Sequence, residues 1–331
     1  MVKSPVKRAL LGSGAMRWLA RRQPKGVAIL MYHSVIEDPR QIEHSLGGVF
    51  HLRHAFEGQM ELLARRFSLV DLNQAQKFVT GAAELPDRAV VVTFDDGYTD
   101  NFEVAAPILN RLGIPATFYV TVECVQRRTL PWPSRLRYAF RLTSKSKWVD
   151  EMERAWDLAA PHEREEAYLH ACNRFCRLSG AALEARIAGA EAELDAKLPV
   201  SSGEMMMTWE QVRKLSQSGH IVGSHTLTHP NLAFLKPEEV RRELTESKRL
   251  MEIQVKAPVS HFSYPCPALY PNWTQQTLLE SRNAGYRTAA TANNGLARAQ
   301  DDPLELKRLR PTKTVDGLLW NLESAFAGLA V

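Results

Sequence analysis

"VVVTFDDGYTDN" spans Val90–Asn101 and decides how the chain is read. A run of apolar, β-favouring residues ends in two adjacent aspartates and a glycine. Enclosed like charges repel and lose hydration, so the pair calls for a compensating cation. Neighbouring strand residues point to opposite faces, but at a strand end before Gly97 the backbone can turn. One aspartate could then bind a metal ion while the other stays unligated and reaches the water that the ion activates. A helix-capping role, with "DDGYTDNFE" preceding a helix, accounts for one acid but not for two.

A second stretch, "GSHTLTHP" (Gly223–Pro230), supplies His225 and His229. On a strand these would lie about 13 Å apart, too far to share an ion; on a helical turn they come to roughly 6 Å. Pro230 forbids a long helix here but allows a tight turn. Two imidazoles and a carboxylate suit a zinc-like ion and leave a coordination position open.

Outward from these motifs the chain alternates. Strand candidates are Gly26–Val35, Phe67–Leu72, Ala89–Asp96, Ala116–Thr121, His220–Thr226, His261–Cys266, Tyr286–Ala292 and Leu304–Pro311. Helical patterns fall between them, as in "NFEVAAPILNRLG", which stops at Gly113. Several strands are apolar on both faces, as covered parallel strands are. Roughly seven strand–helix units indicate an α/β fold, either a (β/α) barrel or a doubly wound sheet. Either one places its site at the carboxyl ends of the strands. The segment from about 123 to 204 breaks the rhythm. It reads as helical throughout, an insertion near the site mouth.

The 331 residues, 45% of them hydrophobic, suffice for a large core plus such an insertion. The formal charge is +5. Much of it sits at the N-terminus, and no basic stripe with interleaved aromatics points to nucleic acid. Residues 1–25 form a basic segment without an acid. Arg17 interrupts its apolar part and no small-x-small cleavage site follows. It reads as an amphipathic helix, Ala9–Ala20, that packs on the body or rests on a membrane surface. The expected location is cytoplasmic or peripheral on the inner membrane, with export as the alternative. Cys172 and Cys176 read as reduced core thiols.

"TFDDGY", "PILNRLGIPATFYV", "MTWEQVRKLSQSGHIVGSHTLTHPNL" and "FSYPCP" together resemble the polysaccharide deacetylases of the NodB-homology type, carbohydrate esterase family 4. The resemblance covers Val27–Val122 and Met205–Arg310. It implies a distorted (β/α)7 barrel over residues 26–331, interrupted by the helical insertion. It further implies metal-dependent removal of N-acetyl groups from an N-acetylhexosamine in a polysaccharide or glycan precursor, such as a lipid-linked sugar. By position, Asp95 matches the general base. Asp96, His225 and His229 match the ligands of one divalent ion, zinc first, with cobalt, nickel or manganese as alternatives. The backbone N–H of Cys266, after Pro265, matches the oxyanion donor.

Two departures stand out. Ser263 occupies the position where the family carries the arginine that orients the base; Arg308 in "LELKRLRP" is the candidate replacement, with Arg310 next. No histidine follows His261, so the family's usual C-terminal acid is missing. His33, in "ILMYHSV", ends the first strand, which neighbours the last in a closed barrel. The chain thus resembles the permuted branch that acts on poly-N-acetylglucosamine, with His33 protonating the leaving amine. His44, His51 and His54 read as solvated loop histidines, and Trp132, Trp209 and Tyr270 as packing residues. The alternative function is a catalytically weak carbohydrate-binding barrel or a partner in exopolysaccharide synthesis.

Overall fold

The computed structural model describes residues 5–37, 49–196, 204–266 and 270–329. Seven strands follow one another around a ring: β1 (Gly26–Tyr32), β2 (Ala89–Phe94), β3 (Ala116–Val120), β4 (Ile221–Ser224), β5 (His261–Ser263), β6 (Thr288–Asn294) and β7 (Leu306–Arg308). Every neighbouring pair is parallel. The ring closes just beyond β7, where Leu309 N donates to Ile29 O at 2.8 Å and Met31 N donates to Leu309 O at 3.0 Å. A short antiparallel strand, Ala297–Arg298, covers the first residues of β1 instead, so closure is confined to one end of that seam. The result is the distorted barrel that the sequence motifs imply. Of the remaining strand candidate, Phe67–Leu72, only Ser68–Leu69 pairs, at the foot of β2 and off the ring.

Alternation along the strands explains what each face carries. On β1, Ala28, Leu30 and Tyr32 pack outward with Phe56, Met60 and Leu63 of the helix Arg53–Arg66. Val27 and Ile29 face inward and meet Val91 of β2, Tyr119 of β3, Ala290 of β6 and Leu306 of β7. That inner set fills the floor of the barrel. Gly223 of β4 belongs to the same layer. A side-chain carbon there would meet the Tyr119 ring at 2.6 Å and His261 O at 2.9 Å, so the tyrosine fills space only glycine leaves. The inward parity continues upward through Met31 to His33, through Thr93 to Asp95, through Gly223 to His225, and from Leu306 to Arg308. Polar groups therefore gather on the axis at the carboxyl ends of the strands.

The insertion is not wholly helical, contrary to the sequence reading. Helices Trp132–Leu142, Pro161–Phe175 and Gly180–Glu193 surround a two-stranded antiparallel ribbon, Lys147–Val149 with Ala155–Asp157. Each ribbon strand buries one tryptophan, Trp148 or Trp156, and exposes its flanking residues. Such alternation over three residues is too short to separate from a helix by pattern alone. The insertion has its own apolar core, which includes Leu136, Phe140, Tyr168, Phe175 and Ile187. Cys172 and Cys176 sit in it as free thiols, and burial pushes them up to about 12 and about 11.

The basic N-terminal segment also differs from expectation. Two short helices, Pro5–Gly12 and Ala15–Ala20, replace the single helix, because Gly14 takes a left-handed φ of 75° between them. Met16 is buried and Lys7 Nζ lies 4.3 Å from the Trp320 ring of the helix Val315–Phe326. The segment thus packs on the body while Trp18 stays 54% exposed. No helix among the described residues is long and apolar enough to cross a membrane.

Candidate active site

β2 ends at Phe94, and Asp95 extends its ladder through a bond from its N–H to Tyr32 O at 3.0 Å. Parity sends the Asp95 side chain onto the barrel axis. The turn the sequence reading assigned to Gly97 begins one residue earlier. Asp96 itself takes φ 78°, and Gly97 follows with φ 91°. A left-handed aspartate costs about 1–3 kcal/mol, a strain typical of functional positions. It aims Asp96 across the barrel mouth toward β4, where parity alone would have pointed it outward. Thr121 N and Met207 N hold the strained turn by donating to Asp96 O and Gly97 O.

His225 and His229 lie on neither a helix nor a strand. They bracket an irregular turn in which Thr226 and His229 both have positive φ, 69° and 65°. Thr226 Oγ1 accepts the His229 N–H at 3.0 Å, which closes the turn. Glu243, buried on the helix Pro237–Val255, accepts from Leu227 N and Thr228 N at 2.9 and 3.0 Å and from Thr228 Oγ1 at 2.7 Å. Trp132 of the insertion donates its indole N–H to His229 O at 2.9 Å. The two imidazole rings end 5.0 Å apart.

One ligand atom each from Asp96, His225 and His229 lies within 4.8 Å of the others, all three residues buried, and no other such grouping occurs among the described residues. The three fit a cation better than they fit each other. The two Nε2 atoms stand 3.4 and 3.2 Å from Asp96 Oδ1, yet no hydrogen bond with proper geometry satisfies that oxygen. A buried, undonated carboxylate oxygen facing two imidazole nitrogens is a ligand set awaiting a positive charge. His225 Nδ1 donates to Ser263 O at 2.8 Å, which leaves the Nε2 lone pair facing the centre.

Asp95 meets Arg308 instead. The guanidinium spans both carboxylate oxygens, Nη1 to Oδ1 at 2.8 Å and Nη2 to Oδ2 at 2.7 Å. Its remaining bonds go to Thr291 O, Thr93 Oγ1 and Ser263 Oγ, and it is only 2% exposed. Ser263, at the position where the resemblance leads one to expect arginine, leaves the space that Arg308 fills. Burial opposes ionisation of Asp95, but Arg308 and His225 overcome it and lower the carboxyl. Arg310, the second candidate, is exposed at the cleft and donates to Tyr270 Oη at 3.3 Å.

These groups open into a cleft of about 430 Å³ whose walls include His33, His51, Tyr98, Cys266, Arg310 and the insertion residue Arg137. His33 follows β1 half-buried; burial and the nearby Arg308 and His225 lower its pKa against the two aspartates. The Cys266 thiol is raised by burial. His51 is not the solvated loop residue that the sequence suggests. It is 4% exposed, packs edge-on against Tyr32 with ring centres 4.9 Å apart, and is held near pKa 4 by burial and Lys313. His54 is exposed, as expected, but on the helix Arg53–Arg66 and not in a loop, and His44 lies outside the described residues. Trp132 is buried and Trp209 packs against the core, whereas Tyr270 is 65% exposed beside Arg310. Sequence reasoning missed Glu243, Thr226 and the indole bond of Trp132. Only the polar Thr-x-x pattern within "HTLTHP" hinted at a side-chain-closed turn.

The polysaccharide deacetylase family model matches residues 82–163 and 183–289, more than half of the chain. The chain belongs to the polysaccharide deacetylase family. The deacetylase is 21% identical over 302 residues, 91% of its length, to YxkH of Bacillus subtilis (strain 168), whose own name places it among polysaccharide deacetylases; the match spans 76% of that protein. It is 38% identical over 77 residues to the chitooligosaccharide deacetylase of Bradyrhizobium sp. (strain ANU 289), covering 23% of this chain and 33% of that one. Its fold is shared with the Streptococcus pyogenes deacetylase PplD (TM-score 0.60, 19% identity, 91% of this chain and 99% of that one). IcaB from Ammonifex degensii shares it equally (TM-score 0.59, 19% identity, 92% and 99%).

Proposed function

We propose that the deacetylase removes the N-acetyl group of an N-acetylhexosamine within a glycan or glycan precursor, and that it needs one divalent metal ion to do so. The observation that carries the reading is the pairing of two separate carboxylates at one barrel mouth. Asp96 faces two imidazoles and Asp95 faces Arg308. Asp96, His225 and His229 would hold the ion, with zinc first among ions that suit one oxygen and two nitrogen donors. When bound, a divalent ion would supply Lewis acidity toward the acetamide carbonyl and the attacking water, so that a weakly basic carboxylate would be base enough.

Asp95 is that carboxylate. Arg308 keeps it ionised and fixes its plane at the cleft wall, where it would accept a proton from the attacking water. The Cys266 N–H, which follows Pro265 at the cleft wall, would donate to the oxyanion as the carbonyl is attacked. His33, at the end of β1 beside the seam with β7, protonates the amine as the C–N bond breaks, because an amide nitrogen cannot leave as an anion. The thiol of Cys266 has no part in this.

Acetate release from N-acetylglucosamine oligomers tests the reading. Release that depends on added zinc and stops with a chelator is expected. Release that persists after complete metal removal would refute the metal requirement, and none from any N-acetylated glycan would refute the activity. The basic N-terminal segment, with Trp18 exposed, supports a place at the inner face of a membrane and a lipid-linked sugar as substrate. Cell fractionation that finds the chain wholly outside that membrane refutes this placement.

A further inference from the structure

His33 belongs to no strand. β1 ends at Tyr32, and the next strand, Ser34–Ile36, leaves the ring to pair with Phe50–Leu52. The chain that carries the proposed proton donor is tied instead to the turn that follows the two aspartates. There Asp100 precedes, and Asn101 opens, a single π-helical turn, Asn101–Ala105. Such turns are rare and recur at functional sites. Asn101 is fully buried, and its Nδ2 donates to His33 O at 2.6 Å and to Asp100 Oδ1 at 2.9 Å. A carbonyl and a carboxylate can only accept, so the amide can face one way. Asp100 Oδ2 accepts from Ser34 Oγ, and the Val35 N–H donates to the same carboxylate. His33, Ser34 and Val35 are thus all held by two adjacent residues of another loop.

His33 lines the cleft, whereas Asp100 and Asn101 lie behind it. Any effect they have on the chemistry must pass through His33. A histidine side chain has only two torsions, so fixing its main chain leaves the ring few staggered directions. A proton donor needs that fixity, because a small displacement from the leaving nitrogen costs a large factor in rate. We infer that Asn101, aimed by Asp100, is a positioning residue: it fixes the main chain of His33 so that the imidazole faces the cleft. Its effect on turnover rests on the reading of His33 as proton donor; its effect on where His33 stands does not.

Crystal structures of the native full chain and of Asn101→Ala test the placement. In the variant the main chain from His33 to Val35 should shift or split into two conformers, while Asp95, Asp96, His225 and His229 keep their places. An unmoved His33 overturns the inference, whatever the substrate. The isosteric Asp100→Asn, which turns one acceptor into a donor, should act in the same direction more weakly, and decides the matter where Asn101→Ala does not fold. Turnover gives a second readout. In Asn101→Ala, kcat for deacetylation of N-acetylglucosamine oligomers should fall about tenfold with KM and zinc content unchanged. Hydrolysis of 4-nitrophenyl acetate, whose leaving group needs no proton, should stay nearly intact. Added to His33→Asn, Asn101→Ala should cost nothing further, because its effect runs through the same imidazole. Losses that multiply, or that fall equally on both substrates, overturn the inference. A native chain that releases no acetate counts against the deacetylase reading alone, and the crystal structures still decide whether Asn101 holds His33.

Discussion

Arg308 closes on Asp95 from β7 while Ser263, its neighbour on β5, lends a hydroxyl to the same guanidinium at 3.0 Å. The ion pair is fully enclosed, so each partner depends on the other. A buried pair adds little net stability, but deleting one member leaves an uncompensated charge.

The first prediction concerns pH. Asp95 must be ionised to act as base, and Arg308 and His225 hold its pKa below the ordinary carboxylate range against burial. The acid limb of kcat/KM should therefore lie below that range in the native enzyme. In Arg308→Gln the burial penalty is no longer offset by the guanidinium, so Asp95 rises and the limb moves to higher pH. The maximal rate should fall by roughly a hundredfold as the base loses its orientation. A limb that stays in place removes Arg308 from this role. The double variant Ser263→Arg with Arg308→Ser should recover part of the loss.

Metal content provides the second. Asp96→Asn and His229→Ala should each abolish stoichiometric zinc binding, read by elemental analysis after dialysis. Asp95→Asn should keep the metal and lose turnover. Loss of metal in the Asp95 variant would show that the assignment of the two aspartates is reversed.

A third follows from Trp132. Its indole N–H is the bond by which the insertion holds the His229 main chain. Trp132→Phe keeps the ring and removes the donor, and should weaken zinc affinity about tenfold without removing a ligand. Competition with a chromophoric chelator measures this, and unchanged affinity would reduce the tryptophan to packing.

The fourth separates His33 from the rest. An amine needs a proton to leave, whereas 4-nitrophenolate does not. His33→Asn should slow deacetylation of the amino sugar by about a hundredfold or more and leave hydrolysis of 4-nitrophenyl acetate nearly intact. Equal losses on both substrates would exclude His33 as the proton donor.

Much of this site was legible because barrel geometry turns sequence parity into direction. Residues two apart on a strand share a face, so Asp95 above Thr93 and Arg308 above Leu306 could both be placed on the axis. His33 could be brought to the site of a C-terminal residue only once the first and last strands were taken as neighbours, and the bonds at Leu309 bear that neighbourhood out. What stayed hidden depended on non-local partners. Nothing local forces Asp96 or His229 into left-handed backbone. Thr121, Met207 and Thr226 do so through bonds that no spacing rule encodes. Glu243 sits on an amphipathic helix where a charged residue is ordinarily solvated, and only the fold reveals that it caps the His225–His229 turn. The ribbon at Lys147–Asp157 was lost because two three-residue strands in a helical context give too short a pattern.

The seam between β1 and the residue after β7 carries a final consequence. His33 stands on one lip and Arg308 on the other, while Asp96 and both imidazoles are anchored on β2 and beyond β4, away from it. Gentle heating that unzips this short junction should silence the enzyme while zinc stays bound, so that loss of turnover precedes loss of metal.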